Sequence, residues 1–178
     1  MCSLKMDRLW APWRIKYIKV SAIKNVGSAK RFGGKRQKKC VFCAGIKSKG
    51  KNYVVFKTRY SLVMLNIFPY NNGHLMVAPI RHTRELSHLK EIEVLDLVKT
   101  LNNAKKLLDK VLEPHGYNIG INISRNAGAG ITGHLHIHVV PRWKGDTNFM
   151  PIVYGTKIIS QSLDELYKQL KYAKSKTN

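Results

Sequence analysis

Apolar runs in the first half of the chain predict three β-strands. Three runs are short, apolar and bounded by polar turn residues, as strands usually are. They are Val54 to Phe56, Ser61 to Ile67 and Gly73 to Ile80. The second and third runs are joined by Phe68-Pro-Tyr-Asn-Asn, a composition typical of a turn. The pattern therefore predicts a β-meander.

The hydrophobic period lengthens to that of a helix between about Leu89 and Leu112. One stripe advances by steps of three and four residues; it consists of Ile92, Leu95, Val98, Leu101, Lys105 and Leu108. This spacing predicts one long amphipathic helix. We expect the helix to end at Glu113-Pro-His-Gly, because a residue that precedes proline disfavours helical backbone.

Two further strands are predicted after the helix. Tyr117 to Ser124 alternates as a strand, and a glycine-rich turn from Arg125 to Gly133 leads into a second run that ends at Arg142. Successive side chains of a strand point to opposite faces. The second run therefore places three histidines on one face, namely His134, His136 and His138. Its other face is apolar, so the strand can pack on a core while the imidazoles face a pocket.

The remaining patterns complete an α+β prediction. Ser162-Leu-Asp-Glu165 is typical of a capping box that begins a C-terminal helix of about ten residues. With 178 residues, of which 44% are apolar, the chain has the size of one domain with a sizeable core. We expect a single domain over residues 1–178, in which an antiparallel sheet packs against one long helix and a C-terminal helix.

The sequence carries no signature of a membrane or secreted protein. It has no apolar run of about eighteen residues, and Met1-Cys-Ser-Leu-Lys lacks an apolar segment of signal-peptide type. These features predict a cytoplasmic protein with no membrane partner. The chain has three cysteines, two of them spaced Cys-x-x-Cys, which disfavours a disulfide framework and favours a metal.

The chain is strongly basic. Thirty-two Lys and Arg against ten Asp and Glu give a formal net charge of +22, which attracts anionic partners. Much of the excess lies in Lys24 to Lys39 and Lys168 to Lys176, so we expect a mobile basic loop at about 21–39 and a basic C-terminal tail at about 172–178. Nucleotide polyphosphates fit this charge. RNA is a less favoured partner, because no aromatic-interleaved strand or RNA-binding module accompanies the charge.

Cys40-Val-Phe-Cys43 forms the second cluster of reactive side chains. Its spacing suits two thiolates on one tetrahedral zinc ion. On the residues alone, any two of the seven histidines could complete such a site, and a pair of reduced cysteines without a metal is an alternative. A redox role is less favoured, because the pair is not predicted to open a helix in a βαβ unit.

The run His-Leu-His-Ile-His-Val-Val from His134 to Val140 resembles the signature of the histidine triad (HIT) nucleotide hydrolases and transferases. Three further segments resemble the branch that contains diadenosine tetraphosphate phosphorylases: Met6 to Arg14, Leu65 to Val77 and Pro141 to Pro151. The resemblance covers most of residues 6–170, and Gly-Asp-Thr-Asn-Phe-Met-Pro is its most specific part. It implies a HIT-like fold and a homodimer, since members of this family usually pair.

The resemblance implies a zinc site. In zinc-bearing relatives the metal is held by a Cys-x-x-Cys, by a histidine shortly after the central strand and by the first triad histidine. The matching residues are Cys40, Cys43, His82 and His134. Four protein ligands close a tetrahedral site, so this zinc would be structural and would not activate water. No organic cofactor is implied.

The resemblance also implies three catalytic residues. His136 matches the central triad histidine, which attacks the α-phosphate and becomes nucleotidylated. His138 matches the third triad histidine, which donates to a phosphate or bridging oxygen, and His74 matches a neighbour that assists phosphate binding. The attacking nitrogen of His136 must be unprotonated, so its other nitrogen should donate to a backbone carbonyl or a similar acceptor.

Six residues are expected to contact substrate. They are Asn66 at the ribose, Asn122, Ser124 and the backbone near Gly130 at the phosphate cradle, and Arg142 and Asn148 at the distal phosphates or an acceptor phosphate. Some relatives carry a hydroxyl three residues before the first triad histidine, where this chain has Ile131. Thr132 supplies a hydroxyl one position later.

These features together predict an enzyme that cleaves dinucleoside polyphosphates, such as diadenosine tetraphosphate, through a nucleotidyl-His136 intermediate. The acceptor would be inorganic phosphate or water, and the sequence leaves both open because both reactions share the intermediate. The alternative enzyme is a purine nucleoside phosphoramidase. The alternative from another class is a zinc-stabilised RNA-binding protein in which the triad is vestigial.

Overall fold

The fold is built on a five-stranded antiparallel sheet, seen in a computed structural model that describes residues 40–48, 52–146 and 158–176. The strands lie in the order β1-β2-β3-β5-β4. Their bounds are β1 Val54–Lys57, β2 Ser61–Leu65, β3 Leu75–Pro79, β4 Gly116–Gly120 and β5 Ile137–Arg142. Within these residues three α-helices accompany the sheet: α1 Val41–Lys47, α2 Glu91–Leu112 and α3 Leu163–Ser175.

The three strands predicted in the first half of the chain are present, and each neighbouring pair is antiparallel. The last two predicted strands are shorter than expected. β4 pairs with β5 only from Gly116 opposite Arg142 to Gly120 opposite His138. The triad therefore straddles the start of β5, because His134 and His136 come before its first residue, Ile137.

The prediction that all three triad histidines lie on one paired strand needs correction, because only His138 lies within β5. Residues 134–140 are all buried, including the three imidazoles. Before β5 begins, the chain is anchored by a different contact, in which the backbone N–H of Leu135 donates to the carbonyl of Thr83 at 2.6 Å. The loop that follows β3 therefore holds the first half of the triad.

The long helix α2 has the predicted extent but buries a different face. It ends where Glu113 adopts left-handed backbone (φ 46°) directly before Pro114. The predicted stripe is wrong for its first three members: Ile92 is 53% exposed, Leu95 55% and Val98 47%. The buried face consists of Glu93, Leu97, Thr100, Ala104, Leu107 and Leu108.

Two polar residues explain why hydrophobicity alone selected the wrong face of α2. Both are buried with polar contacts: the carboxylate of Glu93 accepts from Arg81 at 2.8 and 2.6 Å, and the hydroxyl of Thr100 lies 3.3 Å from that of Thr58. A buried polar group is tolerated when it is hydrogen-bonded. Small Ala104 completes a face on which the helix packs against β2, β3 and α3.

The C-terminal helix begins as predicted. The side chain of Ser162 caps α3 by accepting from the N–H of Glu165 at 3.2 Å. The helix runs for 13 residues, so most of the predicted basic tail at 172–178 is helical, and only residues 177 and 178 lie outside the described part. The predicted basic loop at 21–39 also lies outside it.

The sheet separates two apolar clusters. On one face α2 and α3 cover Val55, Val63, Leu65, Leu75 and Val77. On the other face Phe42 of α1 packs with Val54, Leu62, Met64, Met76 and Ala78. The predicted antiparallel sheet with one long helix and a C-terminal helix is therefore confirmed. In the described residues no helix has the length and apolarity that a membrane crossing requires.

Glu93 makes a pH-dependent contribution to stability. Its hydrogen bonds from Arg81 and from the backbone of Lys90 lower its pKa to about 2, below the value of about 4.3 for an unfolded chain. A depressed pKa in the folded state stabilises the protein above the unfolded pKa, and this contribution disappears as the pH falls from about 4 to about 2. We expect Glu93→Gln to cost about 1–2 kcal/mol at pH 7 and progressively less on acidification.

The measurement is the free energy of unfolding in urea between pH 7 and pH 3, compared between the wild type and Glu93→Gln. Glu91→Gln is the matched control, because Glu91 is an exposed carboxylate in the same first turn of α2. A difference between Glu93→Gln and the wild type that does not change with pH would contradict the assignment.

Candidate catalytic and metal sites

Four side chains from three parts of the chain converge as a group that could hold a metal: Cys40, Cys43, His82 and His134. Their ligand atoms all lie within 4.8 Å of one another. The Sγ of Cys40 is 3.3 Å from Nδ1 of His134, and the Sγ of Cys43 is 3.3 Å from Nδ1 of His82 and 3.7 Å from Nδ1 of His134. Tetrahedral zinc with its usual bond lengths places sulfur and nitrogen ligands about 3.5 Å apart. The donor set and the spacing therefore fit zinc.

The orientation of His134 also suits a ligand. Its Nε2 donates to the carbonyl oxygen of Pro79 at 2.8 Å, because a carbonyl oxygen can only accept. The lone pair of the neutral ring is then on Nδ1, which faces the thiols. Backbone acceptors fix metal-binding histidines in this way. Burial lowers the pKa of His134, which favours the neutral form that binds a metal.

The two cysteines lie at the start of α1. Cys40 is the N-cap residue of the helix and Cys43 is in its first turn, so the pair opens a helix. The strands of the described residues all pair antiparallel, so this helix is not part of a βαβ unit there. In the described residues this helix is followed by a strand, β1. Between the two cysteines, Phe42 packs against the rings of His134 and His136, with centroids 5.0 and 5.1 Å away.

His136 has the tautomer that a nucleophile requires. Its Nδ1 donates to the carbonyl oxygen of His134 at 2.8 Å, which supplies the acceptor that the sequence left unspecified. The lone pair of the neutral ring is therefore on Nε2. Burial lowers the pKa of His136, and the hydrogen bond to the carbonyl of His134 opposes that shift. The ring is accordingly neutral near pH 7.

A chain of hydrogen bonds sets the tautomer of His138. The backbone N–H of Tyr70 donates to Nδ1 of His74 at 3.0 Å, so the proton of the neutral His74 ring is on Nε2. That Nε2 is 2.9 Å from Nδ1 of His138 and donates to it. The proton of neutral His138 is then on its own Nε2. Burial, together with the charge of a protonated His136, lowers the pKa of His138 to about 4.

The Nε2–H of His138 is a buried donor that no group in the described residues accepts. Leaving such a donor without a partner is costly, so an acceptor that enters the site gains a ready hydrogen bond. His136 and His138 line the same cleft, which has a volume of about 330 Å³. The cleft therefore offers a phosphate both a nitrogen lone pair and an N–H donor.

The rest of the cleft lining is largely apolar. It includes Val41, Met64 and Met76, of which Met76 is the cross-strand neighbour of His138, and Phe68 lines it with 79% of its surface exposed. Small-molecule sites commonly combine apolar walls with a few placed polar groups. An aromatic ring as exposed as Phe68 makes no contribution to the core and is free to stack on a flat ligand.

The predicted substrate-binding residues fall into three groups. Asn66 and Gly130 line the cleft with His136. Asn122 and Ser124 line a neighbouring cavity of about 400 Å³, which shares only Ile131 with the cleft. Arg142 lines neither space.

Arg142 makes other contacts near the C-terminal end of β5. It pairs with Asp146 at 2.7 Å and bonds the side-chain oxygen of Asn118 at 3.2 Å. Asn148 lies outside the described residues.

Sequence reasoning missed three groups that organise the site. The backbone N–H of Tyr70 and the carbonyl of Pro79 fix the tautomers of His74 and His134, and backbone groups carry no signal in a sequence. The third group is Val41 with Phe42. The sequence does contain a signal for these two residues, because they lie between two cysteines that could bind a metal. Side chains within such a turn lie close to the site that the turn forms.

Comparison with known proteins assigns the class. Residues 47–145 match the HIT domain family. The chain is 35% identical over 171 residues to the AP-4-A phosphorylase of Mycobacterium tuberculosis, covering 93% of this chain and 83% of that protein. The protein therefore belongs to the HIT domain family.

Two more distant similarities accompany this match. Over 102 residues the chain is 32% identical to the asymmetrical bis(5'-nucleosyl)-tetraphosphatase of Schizosaccharomyces pombe, covering 57% of this chain and 56% of that enzyme. A zinc-bound histidine triad family protein from Mycobacterium smegmatis shares the fold with a TM-score of 0.62 and 25% identity, covering 78% of this chain and 95% of that structure.

Proposed function

We propose that this protein cleaves dinucleoside polyphosphates, such as diadenosine tetraphosphate, at an α-phosphate through a covalent nucleotidyl-His136 intermediate. The observation that carries the proposal is the 2.8 Å hydrogen bond from Nδ1 of His136 to the carbonyl of His134. It leaves the lone pair of a neutral imidazole on Nε2, the nitrogen available for attack in the cleft. The relatives named for AP-4-A phosphorolysis and for tetraphosphate cleavage support the substrate class.

In the first step Nε2 of His136 attacks the α-phosphorus and the bond to the bridging oxygen breaks, which releases a nucleoside triphosphate from a tetraphosphate substrate. The imidazole now carries a positive charge, and its Nδ1–H remains bonded to the carbonyl of His134. In the second step an oxygen of inorganic phosphate or of water attacks the same phosphorus and the P–N bond breaks. Splitting the transfer in this way lets a second acceptor replace the leaving group.

His138 and His74 assist the first step in different ways. Nε2–H of His138 donates to a phosphate oxygen, where negative charge increases as the bridging bond breaks. His74 acts as a positioning residue, because its Nε2–H bond to Nδ1 of His138 keeps the proton of His138 on the side of the cleft. Asn66, whose backbone N–H donates to the carbonyl of His74, lies at the cleft where a ribose would be.

The reaction can be tested by incubating the purified protein with diadenosine tetraphosphate, with and without inorganic phosphate, and identifying the nucleotides formed. ADP and ATP that form only with phosphate indicate phosphorolysis, and AMP with ATP in either case indicates hydrolysis. His136→Ala should lower the rate by about 10³-fold or more. Exposed His88 provides the matched control, His88→Ala. Turnover that survives His136→Ala would exclude the intermediate.

We also propose that Cys40, Cys43, His82 and His134 bind a structural zinc ion. When bound, the ion joins α1, the loop after β3 and the triad. All four positions of a tetrahedral site are filled by protein ligands, so the ion leaves no position for a reacting water. The chain's own contribution to catalysis here is positional, because His134 holds the carbonyl that orients His136 and α1 holds Phe42 against both rings.

The zinc proposal predicts one zinc ion per chain by elemental analysis of protein purified without chelator. Cys43→Ser should reduce the zinc content and lower the Tm by about 10 °C, which corresponds to about 3 kcal/mol in a chain of this size. Cys2→Ser is the control, because Cys2 is the remaining cysteine of the chain. Full zinc content in Cys43→Ser would remove this residue from the ligand set.

We further propose that the protein forms a homodimer through the exposed side of α2. Its first two turns carry four solvent-facing apolar residues, Ile92, Val94, Leu95 and Val98. The strand β4 is at the edge of the sheet, and its Ile119 is also exposed. An exposed apolar stripe and an open strand edge are each typical of a contact with another chain, and a two-fold contact buries both copies at once.

Light scattering of Leu95→Asp and Val98→Asp tests this contact. Each variant should shift the protein from dimer to monomer, because a carboxylate would be buried against its symmetry copy. Tyr172→Asp places the same charge at an exposed aromatic residue of α3 and should leave the mass unchanged. A wild type that is monomeric, or variants that remain dimeric, would contradict the assignment of this interface.

A further inference from the structure

The cavity next to the cleft opens to solvent, and more than half of its described lining residues are exposed. It is lined by the side chains of Asn122, Ser124 and Thr132 and by the segment from Gly133 to Leu135. Hydroxyl and amide groups can donate to an anion. The cavity begins on the far side of Ile131, the residue that also lines the cleft, so a ligand long enough to pass this side chain could occupy both spaces.

Two guanidinium groups, Arg84 and Arg125, also line this cavity. Glu85 is the one acidic residue in the described lining, and it pairs with Arg84 through Nε at 3.2 Å. This pair is exposed, and exposed pairs contribute little to stability, so Arg84 can exchange it for a phosphate. Arg125 makes no ion pair within residues 40–48, 52–146 and 158–176. Guanidinium groups are well suited to phosphate because their N–H donors match its oxygens.

The backbone at Ser124 is a further observation at this place. Ser124 has φ 70° and ψ 167°, a region that glycine adopts and other residues rarely do. Such outliers concentrate at ligand-binding and catalytic sites, where surrounding contacts hold the backbone against its preference. The backbone conformation of Ser124 determines the direction in which the side chain of the next residue, Arg125, leaves the chain beside the cavity.

The distance from the cleft suits the phosphates of a long substrate. His134 lines the cavity and His136 lines the cleft, and two residues of chain span at most about 7 Å. A substrate whose α-phosphate meets His136 would carry its further phosphates over this distance. Arg142, expected from the sequence to bind distal phosphates, is instead held by Asp146 and Asn118.

We propose that Arg84 and Arg125 bind the phosphates beyond the α-phosphate, so that this cavity is a polyphosphate subsite that favours dinucleoside polyphosphates over nucleoside phosphoramidates. The inference rests on the proposed function, since it assigns the α-phosphate to His136. It also explains how one triad can distinguish the two substrate classes. Both present an α-phosphate, but only the first carries further charge into the cavity.

The test compares two substrates across a set of charge variants. For Arg84→Ala and for Arg125→Ala, kcat/KM with diadenosine tetraphosphate should fall about tenfold, the effect of one charge-assisted hydrogen bond. For adenosine 5'-phosphoramidate it should stay within about twofold of the wild type, because this substrate has no phosphate to place in the cavity. Arg59→Ala removes the same charge from the exposed turn between β1 and β2 and should affect neither substrate.

Binding of inorganic tripolyphosphate, measured by calorimetry, gives a second readout that needs no turnover. Both arginine variants should weaken this binding by about tenfold, and Glu85→Gln should strengthen it because it removes the acidic residue from the lining. Equal losses for both substrates, an equal effect of Arg59→Ala, or unchanged tripolyphosphate binding would overturn the subsite. If the wild type turns over neither substrate while tripolyphosphate binding follows the predicted order, the proposed function fails and the anion site stands.

Discussion

The site depends on His134, which makes three contacts at once. Its Nε2 donates to the carbonyl of Pro79, its Nδ1 faces the two thiols, and its own carbonyl accepts from Nδ1 of His136. The first contact fixes the ring for a metal, and the third fixes the tautomer of the nucleophile. A structural change among the four possible metal ligands would therefore be transmitted to His136 through His134.

Burial and hydrogen bonding act together on the histidines. Burial lowers the pKa of all three triad residues, which keeps the rings neutral near pH 7. Neutral imidazoles have one donor and one acceptor nitrogen, so each hydrogen bond decides which nitrogen carries the proton. The relay from Tyr70 through His74 to His138 directs a donor into the cleft, while the bond from His136 to His134 directs a lone pair there.

The long-range prediction that succeeded came from the family resemblance, which implied the four possible metal ligands that come together in the structure. The residues alone left the two histidines open. The extent of α2 was also predictable, since its period and the proline after it are local signals. The buried side of α2 was not, because Glu93 and Thr100 are polar in composition but buried with partners from distant segments.

The sequence by itself determined the antiparallel sheet, the extent of the long helix, the order of the triad and the identity of the possible metal ligands. The sheet and the helix follow from local periodicity, the triad from its run of alternating histidines, and the possible metal ligands from the resemblance of the sequence to a known family. Only the tertiary structure decided which tautomer each histidine adopts, which face of α2 is buried and that Arg142 lies away from the cleft. These features depend on backbone carbonyls and on ion pairs such as Arg142 with Asp146. Every residue has a backbone carbonyl, so the contacts of these groups leave no trace in a sequence.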